Sequence, residues 1–133
     1  MGHKSRLAYV VIDCQDLDVA AAFWGAALEG TVARPSAHGE IYRLITLAGE
    51  PLQLLLQLVP EEKTSKSRMH LDIESTDVEA EVRRLCRLGA TRLSHVIERG
   101  VAFWVLSDPF GNEFCVIEPN FPALLAARPE RPS

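Results

Sequence analysis

The sequence carries no Gly-rich phosphate loop, no nucleophile elbow and no paired-cysteine zinc motif, which removes the usual signatures of nucleotide binding, α/β-hydrolase chemistry and zinc ribbons. Its three cysteines, Cys14, Cys86 and Cys115, are odd in number and far apart. That spacing predicts reduced, packed thiols and not a disulfide framework. Apolar runs break within about ten residues, well short of the roughly 20 that a membrane span needs. The basic residues before "LAYVVIDCQD" have the flavour of a leader peptide, but Asp13 and Asp16 arrive too soon and no small-residue cleavage site follows. The expectation is a cytoplasmic chain without a membrane partner. Lys and Arg are scattered and the net charge is −4, so no nucleic-acid surface is expected either.

What is present is an ordinary globular composition, 47% hydrophobic and 24% charged over 133 residues, enough for a single domain with a real core. One phrase is written twice. "YVVIDCQD" (9–16) and "HLDIESTD" (70–77) both alternate apolar and polar residues, place an acid at the fifth position and close on Asp. Alternation of period two with β-branched residues predicts a strand with two unlike faces. The closing acid, Asp16 in one copy and Thr76 or Asp77 in the other, is suited to cap a following helix. The first helix has Leu17, Ala20, Ala21, Trp24, Ala27 and Leu28 at helical spacing and stops at Gly30. The second has Val78, Val82, Leu85 and Leu88 and stops at Gly89. Three strand-like segments follow each helix: "TVARPS", "EIYRLITLA" and "PLQLLLQLV", then "TRLSHVI", "VAFWVLS" and "NEFCVIE". Turn chemistry separates them in "AHGE", "AGEP", "ERG" and "DPFGN".

The predicted order is therefore β-α-β-β-β, twice, an α+β chain of two paired modules. Module 1 spans 7–59, a polar linker 60–68, module 2 69–119, and a Pro-rich tail 120–133. Each helix is expected to cover one face of its sheet. The other faces would carry Tyr9, Val11 and Asp13 in one copy and His70, Asp72 and Glu74 in the other, curving together into a cup. The apolar tail patch from Phe121 to Leu125 suggests a homodimer.

The paired order, with "DCQDLDVAAAFW", "HLDIESTDVEAEVRRLCRLGA" and "DPFGNEFCVIEP", resembles the vicinal oxygen chelate superfamily of glyoxalases, bleomycin-resistance proteins and extradiol dioxygenases. It is most similar to the small glyoxalase-like domain proteins common in soil bacteria. The resemblance runs from Leu7 to Pro119. Metal-using members place four ligands around the cup, and counting from the three aspartates puts those places at Tyr9, His70 and Cys115, with Gln57 as the fourth-strand candidate and Gln53 sharing its parity. Of these, only His70 matches the superfamily pattern. A divalent metal seeks imidazole nitrogen and carboxylate oxygen, so the expectation is no resident metal. The alternative is a divalent ion on His70, Cys115 and Gln57. Catalytic candidates are His70, with Asp72 to orient or charge it. Candidate ligand contacts are Tyr9, Gln57, Cys115, and Phe103 or Trp104, of which alternation sends only one to the cup side. The function implied is small-molecule binding, for sequestration or mild acid–base chemistry through His70. The alternative is a metal-dependent lyase, isomerase or dioxygenase with a rearranged ligand set.

Overall fold

A computed structural model describes residues 3–98 and 101–119. The expected tail patch from Phe121 to Leu125 lies outside the described residues. The elements follow the predicted order: β1 (Tyr9–Cys14), α1 (Leu17–Ala27), β2 (Thr31–Ala33), β3 (Tyr42–Thr46), β4 (Gln53–Leu58), then β5 (Leu71–Glu74), α2 (Val78–Leu88), β6 (Thr91–Glu98), β7 (Val101–Ser107) and β8 (Glu113–Ile117). The chain divides into two compact units after Glu62. Among the described residues, no helix is long and apolar enough to cross a membrane.

The first unit is a four-stranded mixed sheet in the order β1-β4-β3-β2. β1 runs parallel to β4, with Tyr9 opposite Gln53 and Asp13 opposite Gln57. Alternation sorts its two faces as expected: Ile12, Cys14, Leu54, Leu56 and Ile45 are buried, whereas Tyr9, Val11 and Asp13 are exposed. The buried set lies against α1, whose Leu17, Ala20, Ala21, Phe23, Trp24 and Ala27 are also buried. Phe23 and Trp24 meet edge to face at 5.1 Å, the arrangement that ring quadrupoles favour.

The second unit repeats the plan in the order β5-β8-β7-β6. Its core is Val82 and Leu85 of α2 with Leu106, Phe114 and Val116 of the sheet. The turn before β8 is held by Asp108, which is 2% exposed. Its Oδ1 accepts the backbone N–H groups of Phe110 and Asn112, both at 2.8 Å, and its Oδ2 accepts the Asn112 amide at 2.9 Å. Gly111 takes φ +86°, a region that a side chain resists.

Both helices begin and end alike. Asp16 accepts the Val19 N–H at 3.0 Å and Asp77 accepts the Ala80 N–H at 3.1 Å, which satisfies one otherwise unpaired donor in each first turn. At the other end, Gly30 N–H reaches the Gly25 carbonyl and Glu29 N–H the Ala26 carbonyl. Likewise Ala90 N–H reaches the Leu85 carbonyl and Gly89 N–H the Cys86 carbonyl. These paired bonds are Schellman closures. The left-handed residue is Glu29 (φ 52°) in the first and Gly89 (φ 126°) in the second. Gly30 is therefore required for space and not for φ: a Cβ there would lie 2.5 Å from Ile45 Cγ2 and 3.1 Å from the Thr46 carbonyl.

Candidate functional site

The second unit contains a cavity of about 860 Å³. β5 pairs with β8 so that Asp72 lies opposite Cys115, and β7 pairs with β8 so that Val105 lies opposite Cys115. Leu106, Phe114 and Val116 alternate onto the buried α2 side, which sends Phe103, Val105, Glu113 and Cys115 the other way, into the cavity lining. β6 adds Val96 and Ser94 across from Phe103 and Val105. Val96, Phe103 and Val105 thus give the sheet side of the lining an aliphatic and aromatic surface, with the Ser94 hydroxyl beside it. Lys66, Arg68 and His70, which the chain supplies just before β5, add most of the remaining polar groups, together with Glu113.

His70 Nε2 lies 3.2 Å from Asp72 Oδ1, each side chain about half exposed. The donor atoms of His70, Asp72 and Cys115 all fall within 4.8 Å of one another. Burial, reinforced by the negative charge and hydrogen bonding of Asp72, pushes the Cys115 thiol up to about 11. At neutral pH it is a thiol and a weak donor, and not a nucleophile. Asp72 thus serves two neighbours. Nε2 is the ring nitrogen that His70 turns toward the Asp72 carboxylate.

The structure brings His70, Asp72, Phe103 and Cys115 into one region, and Trp104 does not join them. Adjacent strand residues point oppositely, and Trp104 lies on the other face, stacked on His95 at 4.8 Å with Arg92 4.7 Å over its ring. Arg92 also reaches Glu79 Oε1 at 2.9 Å. That hydrogen bond holds the Glu79 carboxyl below its ordinary range. The outward aromatic is therefore a clamp between α2 and β6.

Tyr9 and Gln57 belong to the first unit, toward opposite ends of the β1–β4 ladder. Register also moves the fourth-strand position. Cys115 lies opposite the residue two past His70, and the residue two past Tyr9, Val11, lies opposite Leu55. By pairing, the counterpart of Cys115 is Leu55; Gln57 is two places beyond it. Gln53, the parity alternative, is occupied by its hairpin, accepting Leu47 N–H at 2.8 Å and donating to the Glu50 carbonyl at 2.9 Å.

Sequence reasoning missed Lys66, Arg68 and Glu113. The segment read as linker 60–68 is divided: from Lys63 onward it belongs to the second unit. Lys63 and Lys66 reach the two carboxylate oxygens of Glu113 at 3.6 and 3.8 Å. Arg68 stands two residues before His70, and that spacing was the available signal.

Residues 9–117 match the family described as "Glyoxalase-like domain". The chain belongs to that family. Solved structures agree on the fold of this glyoxalase-like protein. A glyoxalase/bleomycin resistance protein/dioxygenase family enzyme from Burkholderia phytofirmans superposes with TM-score 0.70 at 20% identity, covering 86% of this chain and 98% of its own. The genomically encoded fosfomycin resistance protein FosX from Listeria monocytogenes gives 0.70 at 14% identity, covering 90% and 97%. TnmS3, an antibiotic binding protein from a Streptomyces species, gives 0.65 at 20% identity, covering 90% and 100%. At these identities the likeness concerns the fold, which hosts several chemistries. No curated protein matches this sequence.

The superfamily resemblance raises the question of a divalent metal. The three donors His70, Asp72 and Cys115 are an imidazole, a carboxylate and a sulfur, a set that suits zinc and its neighbours in type and in number. Binding would have to displace the Cys115 proton against its raised pKa, and an ion itself supplies the charge that does so.

Proposed function

We propose that this glyoxalase-like protein binds a small organic molecule in the cavity of its second unit. In this reading His70 exchanges a hydrogen bond or a proton with the ligand. The observation that carries it is a cavity within the size range of small-molecule sites, in which the apolar side chains of Val96, Phe103 and Val105 meet the polar groups of Arg68 and His70. His70 is held in that lining by Asp72. Support in kind comes from neighbours that share the fold, one an antibiotic binding protein and one a fosfomycin resistance protein. The result would be sequestration of the ligand, or mild acid–base chemistry on it.

Screening a panel of organic ligands by thermal shift and then by calorimetry tests this directly. Affinity for a ligand so found should fall several-fold in His70→Ala and be partly restored in His70→Gln, which keeps a hydrogen-bonding group there. A ligand whose binding is indifferent to His70→Ala sinks the assigned role of His70.

The compact donor set favours a second reading, a metal-dependent enzyme. His70, Asp72 and Cys115 would hold a zinc-class ion, which when bound would polarise a ligand oxygen or a water. Metal analysis of protein purified without chelator separates the readings. Stoichiometric metal that disappears in both Asp72→Ala and Cys115→Ala promotes the second; its absence in wild type leaves the first.

A further inference from the structure

We infer that the cavity takes an organic anion: an apolar ring body carrying one acidic group, such as a carboxylate or sulfonate. This rests on the cavity-binding reading and adds the chemical class. The surface formed by Phe103, Val96 and Val105 offers rings and methyl groups, with the Ser94 hydroxyl as the polar group beside them, so it favours a ligand body that is mostly apolar on that side.

The charges at the rim do not cancel. Glu113 is the one carboxylate in the lining among the described residues, and Lys63 and Lys66 both reach it. Asp72 is engaged by His70 and Cys115. Arg68 lines the same cavity and has no ion-pair or hydrogen-bond partner among the described residues. Among the described residues, two cations, Lys66 and Arg68, therefore line the cavity with one carboxylate, Glu113, which is already paired, in a chain whose net charge is −4. A guanidinium presents a planar fork that fits a carboxylate or sulfonate through two parallel hydrogen bonds. His70, whose Nε2 is turned to Asp72, stands two residues along in the same lining and adds a second polar contact beside the guanidinium.

A pair of fluorescent probes that differ only in charge provides the test: anilinonaphthalene sulfonate and phenylnaphthylamine, the same ring system without the sulfonate. The wild type should bind the sulfonate at least roughly tenfold more tightly, the scale of one charge-assisted hydrogen bond. Arg68→Gln should remove that preference and leave the affinity for phenylnaphthylamine unchanged. Added salt should weaken the sulfonate alone. Val105→Trp, which fills the apolar side of the cavity, should abolish both, with circular dichroism confirming that each variant is folded. Equal affinity for the two probes, or a sulfonate preference that survives Arg68→Gln, overturns the anion inference. If neither probe binds, or if both persist in folded Val105→Trp, the cavity reading itself fails, and the inference with it.

Discussion

Asp72 sits between an imidazole and a thiol, and the chemistry of both depends on its charge. Because burial and Asp72 raise the Cys115 pKa to about 11, alkylation by iodoacetamide at pH 8 should be slow at Cys115 and faster at the less buried Cys86. Peptide mapping by mass spectrometry reads both rates. Asp72→Asn removes one cause of the shift and leaves burial, so Cys115 should react several-fold faster near pH 9. No change in that rate would mean that Asp72 does not act on the thiol. The sign for stability follows from linkage: a raised folded pKa gives stability that is intact below the unfolded value near 9 and is lost as pH climbs through about 11. Melting temperature should fall across that window in wild type and fall less in Cys115→Ala. At this scale the sequence was partly legible. Strand parity showed that Phe103 and Trp104 must separate, but only the pairing register and the α2 packing reveal which faces the cavity. Arg68 escaped notice because a polar stretch without periodicity reads as linker until Lys63 and Lys66 are seen to fold onto Glu113.

The helices and strands were the most legible level, since capping acids, apolar spacing and turn residues agreed at nearly every boundary. The exception is instructive. "LEGT" and "LGAT" both contain a glycine, yet the left-handed residue is the one after Leu in each copy, Glu29 and Gly89. The glycine of the first copy sits one place later because Ile45 and the Thr46 carbonyl leave no room for a Cβ, a tertiary demand that no local pattern displays. Glu29→Gly should therefore stabilise the protein by up to about 1 kcal/mol, since a non-glycine residue in this region costs roughly 1–2 kcal/mol. Gly30→Ala should destabilise it by about 1–3 kcal/mol through overpacking. Asp16→Ala and Asp77→Ala should each cost about 1 kcal/mol by loss of a cap. Urea unfolding of the four variants checks all these signs. The clamp on the far side of α2 has its own signature. Glu79 is held low by Arg92, so its contribution is present above the ordinary carboxylate pKa and is lost as pH falls through the lowered value. Acid unfolding of Arg92→Gln should be correspondingly less steep.

For the whole molecule, the duplicated phrase foretold the architecture because each module is too small to bury its sheet without a helix, and the same solution is reached twice. It did not foretell that the two copies would differ in chemical content. The first carries Tyr9, Leu55 and Gln57 where the second carries His70 and Cys115 with Asp72 and Arg68 nearby. Every residue lining the cavity falls between 66 and 115. In a library of single substitutions sorted once for folding and once for retention of a cavity ligand, the second half of the gene should yield a distinct class that folds and does not bind, centred on Arg68, His70 and Val105. Selection for a new occupant of this cavity would act on that half, at positions whose replacement leaves the fold intact.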